Sequence, residues 1–295
     1  TGRNIPHLTR PLEAHAQELG VDLHALDERL RDIRARLLIA RQTRHAPLRD
    51  DKVLTDWNGL AIWAFAYAAD VLEHERERYT QAAQESAEFI WQQMRDSNGR
   101  LLHRYREGEA SIPAYLPDYA CYGMGLMELY ELTLEPQWLE RAVAVADQMI
   151  ERFHDRELGG FFTTDPAHDL LIMPVKSYQD RAMPSGNGAA VQFLAALSKA
   201  LTVDDPQRSQ RYAHLAAETL DSCWGILQRA PTAGDSLLYG YLLLEGEMLE
   251  MPDLAVPTPD GDEEDDEAGP VRVSIQPMPE GLLVQFDIEE GWHIN

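Results

Sequence analysis

Three short stretches of this sequence place a carboxylate beside an aromatic, amide or hydroxyl side chain at the entry to a long apolar run: Asp51-Lys52 leading to Trp57-Asn58, Asp118-Tyr119, and Asp180 leading to Ser185-Gly186-Asn187. Carboxylates move protons and aromatic faces stack on C–H bonds, so the combination suits a carbohydrate or another small polar ligand. Asp51, Asp118 and Asp180 are the candidate catalytic acids and bases, and Lys52, Trp57, Asn58, Tyr119, Ser185 and Asn187 the candidate substrate-binding residues. Glycoside hydrolysis needs two carboxylates flanking one bond, which these loops could supply. A second account competes at each position. Asp, Asn and Ser ahead of an apolar helix are ordinary caps for first-turn N–H groups. Trp57 could equally staple a helix start into the core, and Lys52 could hold an anion or an ion pair. An epimerase would want histidine bases, and His103, His154 and His168 are instead read as surface histidines.

The elements that must position these residues are helices. Apolar residues recur every three or four positions from Leu26 to about Arg44, from Trp57 to Leu72, and from Tyr79 to Met94. After the turn signal Asn98-Gly99 comes a short extended segment, Leu101 to Arg106. The same order returns with helices over Asp118–Leu132 and Trp138–Phe153 and a short extended piece at Gly159–Phe162, then with helices over Gly186–Leu201 and Arg208–Leu227. Aligning Trp57-Asn58-Gly59, Pro117-Asp118-Tyr119 and Gly186-Asn187-Gly188 gives a period of roughly 60 to 70 residues, one helical hairpin plus a loop. The first helix of each round is apolar all round, while the second carries a charged face such as Glu85, Glu88 and Gln92. Inner and outer rings follow from that difference. The expected fold is all-α, an incomplete (α/α)6 toroid spanning residues 1–250, with a solenoid of long hairpins as the alternative. In such a ring the loops before the inner helices meet on one face.

Past Met251 the texture changes. Residues 251–270 read as an acidic, Pro-rich linker, and residues 271–295 alternate as half-buried strands do, which marks the start of a truncated β domain. The formal net charge of −24 argues against a nucleic acid partner, since phosphate neutralisation needs clustered Lys and Arg. No apolar run approaches the roughly 20 residues that span a bilayer, so no membrane partner is expected. Cys121 and Cys223 sit in apolar helical patterns as free buried thiols, and with no Cys/His metal spacing the chain is expected to hold neither metal nor cofactor. The opening Thr-Gly-Arg-Asn-Ile-Pro has no initiator methionine and no apolar leader core, which suggests a fragment of a longer chain; cytoplasmic placement is the expectation.

Arg49-Asp50-Asp51-Lys52-Val53-Leu54-Thr55-Asp56-Trp57-Asn58-Gly59-Leu60 resembles the most recognisable motif of the thioredoxin-domain-containing proteins related to spermatogenesis-associated protein 20. Asp180 with Pro184-Ser185-Gly186-Asn187 is similar to a second motif, and Asp118-Tyr119 and Gly159-Gly160-Phe161-Phe162 add weaker matches. The likeness covers about residues 1 to 250. It implies a six-hairpin toroid like those of glycosidases and sugar 2-epimerases, with the earliest hairpins and a thioredoxin-like domain in cis lying outside this segment. The chain departs from the family at Asn187-Gly188, where a serine usually follows the asparagine. Gly291-Trp292-His293-Ile294-Asn295 resembles the start of the immunoglobulin-like domain found near disulfide-interchange proteins. The functional expectation is a region that binds or processes carbohydrate by glycosidase-like or 2-epimerase-like acid/base chemistry; the alternative is a non-catalytic partner- or client-binding scaffold attached to a redox module.

Overall fold

A computed structural model describes residues 8, 10–46, 48–167 and 174–244, together with the backbone of two strands at 271–278 and 281–288. Contacts divide the chain into two units, Thr1–Glu247 and Met248–Asn295. In the first, α1 (Leu12–Leu19) and α2 (Leu23–Gln42) precede β1 (Val53–Leu54), α3 (Thr55–Val71) and α4 (Arg76–Gln93). There follow β2 (Leu102–Arg106), β3 (Glu109–Pro113), α5 (Leu116–Thr133), α6 (Pro136–Phe153), α7 (Gly186–Leu201), α8 (Pro206–Arg229) and α9 (Asp235–Leu244).

Local chemistry sets the helix starts. Pro117, Pro136 and Pro206 occupy first-turn positions, where the N–H that proline lacks would have no partner within the helix. Ser185 accepts from Gly188 N–H at 3.1 Å and Asp205 from Arg208 N–H at 3.1 Å, each capping a first turn.

The two classes of helix differ in what they bury. On α6, Trp138, Ala142, Val145, Ala146, Met149, Ile150 and Phe153 form one buried stripe. On α5 every residue from Asp118 to Met127 is buried, and on α7 every residue from Gly186 to Ala195. Accordingly α3 packs on α5, α5 on α7 and α7 on α9 as an inner layer, backed by α4, α6 and α8 in turn. The result is an incomplete α/α toroid of three hairpins and a further inner helix. Its inner layer is drawn tight where α3 crosses α5: a side chain at Gly59 would lie 2.5 Å from the backbone of Cys121 and Tyr122. Glycine is required there because the two backbones touch.

The structure adds elements that the apolar pattern leaves out. The extended segment at 101–106 is β2, the centre of a three-stranded antiparallel ribbon ordered β1-β2-β3. The β2–β3 turn takes positive φ at Glu107 and Gly108. The second extended piece, at 159–162, is reduced to a single bridge, His154 to Phe161. Helices α1 and α9 are further additions. The apolar stripe of α2 forms the expected helix, yet Ile33, Leu37 and Leu38 are exposed, because α2 packs mainly on α1. No helix among the described residues is long and apolar enough to cross a membrane.

In the second unit, β4 (Val271–Met278) pairs antiparallel with β5 (Gly281–Ile288), Val271 opposite Ile288 and Met278 opposite Gly281. The acidic linker and the Gly291–Asn295 segment lie outside the described residues.

Candidate functional site

The inner helices all begin at one end of the bundle. Asp56 N–H, in the first turn of α3, donates to Asp118 Oδ1 at 3.0 Å, so α3 and α5 start side by side. Leu116 at the start of α5 lies against Gly186 at the start of α7. Asp180 joins the start of α7 to that of α9. The starts of the inner helices therefore lie at a common face, with Asp118 and Asp180 at their junctions and Asp51 paired to Arg106 on the ribbon.

Asp118 is completely buried and fully engaged. Its Oδ2 accepts from Tyr115 N–H at 2.8 Å, closing a capping box on α5, while its two oxygens lie 2.9 and 3.0 Å from His103 Nδ1. His103 reaches it from β2, which pairing with β1 holds over the start of α3. The Tyr115 ring meets the imidazole edge-on, with centroids 5.1 Å apart. The hydrogen bond to the Asp118 carboxylate raises the His103 pKa above its ordinary value. Asp56 completes the corner: burial and the neighbouring Asp118 charge raise its carboxyl pKa. One donor atom from each of Asp56, His103 and Asp118 lies within 4.8 Å of the others.

Asp180 plays the corresponding part at the seam between α7 and α9. Its Oδ1 accepts from Ser185 N–H at 2.7 Å and Ser236 Oγ at 2.5 Å, and its Oδ2 from Ser236 N–H at 2.7 Å. A side chain at position 188 would come within 1.8 Å of that Ser236 hydroxyl. Gly188, the departure from the family pattern, thus leaves room for a hydroxyl supplied by α9.

Beside Asp180 runs a groove of about 380 Å³, bounded by Leu60 and Trp63 of α3, Met124 of α5, the 180–184 loop, and Asp235, Ser236 and Tyr239 of α9. A second chamber of about 100 Å³ shares Trp63, Met124, Gln192 and Tyr239 with it and reaches Glu128 and Glu131. Burial and the charge of Glu131 push the Glu128 carboxyl up to about 7. Asp56 precedes Leu60, which lines the groove, by about one helical turn on α3.

The remaining candidates divide by burial. Asp51 pairs with Arg106 at 2.8 Å and Lys52 with Asp50 at 3.2 Å on the outer ribbon. Trp57 is 61% exposed rather than stapled into the core. Asn58 Nδ2 donates to Leu54 C=O at 2.8 Å. Tyr119 is buried, its hydroxyl accepting from Leu101 N–H at 3.2 Å. Asn187, also buried, exchanges two hydrogen bonds with the Phe161 backbone and donates to Ser177 C=O, tying two loops to α7.

Two histidines correct the surface reading. His103 is the Asp118 partner, and His154 is largely buried with Nε2 2.9 Å from Glu218. A strand pairing supplies His103 and a helix 64 residues away supplies Glu218, so neither contact is local in sequence. His168 lies outside the described residues. Asp56 belongs to the same motif as Asp51, and its distinguishing signal is its place inside the first turn of the helix. Cys121 and Cys223 are free and buried; burial pushes the Cys223 thiol up to about 12.

No family model matches the chain. Over 206 residues, 66% of the chain, it is 32% identical to human spermatogenesis-associated protein 20 and 34% identical to the rat protein. The chain spans about a quarter of the length of these relatives, 26% in each case. Among solved structures, a GH76 alpha-mannanase of Bacteroides thetaiotaomicron superposes with a TM-score of 0.51 at 17% identity, over 68% of this chain and 55% of that one. That likeness establishes the α/α-toroid fold and is silent on chemistry.

Proposed function

We propose that this chain is the carbohydrate-binding region of a longer protein, that the sugar lies in the groove between the inner helices, and that acid/base chemistry, where it occurs, is centred on Asp56, His103 and Asp118. The observation that carries the reading is the groove itself. It is walled by α3, α5, the loop before α7 and the start of α9, Trp63 and Tyr239 offer aromatic rings, and Gln192 and Asp235 offer polar groups, a composition that suits a sugar ring. Of the carboxylates first singled out by sequence, Asp118 orients His103 and Asp180 shapes the groove wall, while Asp51 stands on the outer ribbon.

The test is thermal unfolding of the chain with a panel of mono- and disaccharides that includes α-linked mannobiose. A ligand that binds only the folded state raises Tm by mass action. The expected result is a saturable rise that Trp63→Ala reduces. A flat response to every sugar, with the wild-type chain folded, removes the support for a carbohydrate site.

One observation favours the second reading, a partner-binding scaffold working beside a thioredoxin-like domain in cis. Asp180 accepts from three donors and Asp118 from two backbone N–H groups besides His103, which is the pattern of structural clamps. Under that reading no sugar shifts Tm, and a longer protein carrying the redox module keeps its thiol–disulfide activity when Trp63 is replaced.

A further inference from the structure

We propose that Asp56, His103 and Asp118 form a binding site for a divalent first-row transition cation, Zn²⁺ or Mn²⁺ by ligand type. This rests on the carbohydrate reading only for what the ion would do there, and not for whether it binds.

The three side chains arrive from separate elements, the first turn of α3, strand β2 and the first turn of α5, so their meeting is a product of the tertiary fold. Their donor atoms lie within 4.8 Å of one another. A metal about 2.0 to 2.2 Å from each of three nitrogen or oxygen ligands holds them roughly 3.0 to 3.6 Å apart, so the cluster contracts onto an ion. His103 Nδ1 already stands 2.9 and 3.0 Å from the two oxygens of Asp118, and exchanging its proton for an ion retains that arrangement while drawing in Asp56.

Charge points the same way. Two carboxylates and a singly protonated imidazole leave a net negative charge in a corner that is buried at Asp118 and half-buried at Asp56 and His103. Two carboxylates, a neutral imidazole and a divalent cation leave none.

The corner is also built as metal sites are. Asp118 is fixed by N–H groups from Tyr115 and Asp56, the outer-shell support that holds a ligating carboxylate in one orientation. His103 keeps 21% of its side chain exposed, which provides an entry path and leaves coordination positions for water or a ligand hydroxyl. A mixed set of imidazole and carboxylate suits Zn²⁺ or Mn²⁺ better than an all-oxygen cation such as Ca²⁺.

The experiment is calorimetric titration of the metal-stripped chain with ZnCl₂ and with MnCl₂ at neutral pH, MgCl₂ serving as the comparison. Wild type is expected to bind one ion per chain at a saturable site. Asp56→Asn and His103→Gln are each expected to weaken that binding about tenfold or more, with circular dichroism unchanged because neither side chain holds two helix starts together. Binding should also weaken as pH falls and protons compete for the imidazole. No saturable binding to folded wild type overturns the assignment. Binding that both variants retain overturns it as well, and places the ion elsewhere in this acidic chain.

Discussion

At the seam between α3 and α5, Asp118 receives two backbone N–H groups and the ring of His103; at the seam between α7 and α9, Asp180 receives two backbone N–H groups and the hydroxyl of Ser236. Both carboxylates bind helix starts together, and both count three donors. They differ in what the third donor can do. An imidazole exchanges protons near neutral pH and ligates transition metals readily, whereas a serine hydroxyl does not titrate in that range. The first seam also brings in a second carboxylate, Asp56, and is sealed completely at Asp118, while Asp180 stays partly open to the groove. A common structural device has thus been given reactive groups at one position and inert ones at the other.

The sharpest way to break this comparison is to remove the carboxylates in turn. Asp118→Ala leaves two backbone N–H groups and an imidazole without their acceptor in a sealed corner, and is expected to cost about 3–5 kcal/mol in urea unfolding. Asp180→Ala strips an equal number of donors in a half-open place where water can replace the lost oxygens, so about 1–3 kcal/mol is expected from the same measurement. Equal losses would mean that burial does not separate the two seams.

A pH titration sharpens the contrast further. The folded pKa of His103 is raised, so its stabilising contribution is complete below the unfolded imidazole value of about 6.5 and fades as pH rises through the folded value. Asp56, also raised, acts in the same direction from a lower starting point, since the folded chain holds its proton more tightly than the unfolded one. With a chelator present, the stability difference between wild type and His103→Gln should shrink as pH climbs past about 6.5, whereas the difference between wild type and Ser236→Ala should stay level. Two parallel profiles would contradict the assignment of the titratable role to the first seam. The smallest effect belongs to Asp51→Asn: the exposed pair with Arg106 is worth less than about 1 kcal/mol, and denaturation curves should almost superimpose.

The two seams were unequally legible in the sequence. The helices themselves are written in local periodicity: α6 shows its buried stripe from Trp138 to Phe153 in the spacing alone, and α5 and α7 show continuous apolar runs. The repeat set Asp51, Asp118 and Asp180 ahead of successive inner helices; Asp118 lies inside the first turn of α5, whereas Asp180 lies in the loop before the Ser185 cap of α7 and reaches that cap through its side chain. His103 was not readable, because its role depends on β2 lying against β1 and so crossing the start of α3, a pairing no local pattern encodes. Choosing between Asp51 and Asp56 required knowing that the helix begins at Thr55, since one residue then falls on the ribbon and the other in the first turn. The ten-residue α9 escaped notice although it supplies Ser236 and Tyr239, being too short for its periodicity to stand out.

The contact between α5 and α7, which separates the two clamped pairs, is of another kind. The ring of Phe193 lies over Gly123, and Leu116 rests on Gly186. Apolar burial loses strength on cooling. The cold chain should therefore begin to part along this middle line, swinging as two leaves whose own seams stay shut. Nuclear magnetic resonance near freezing would register that motion as line broadening at Phe193 and Leu116 while the amides of Asp56 and Tyr115 remain protected from exchange. Simultaneous loss of all four signals would describe a ring that yields as one body.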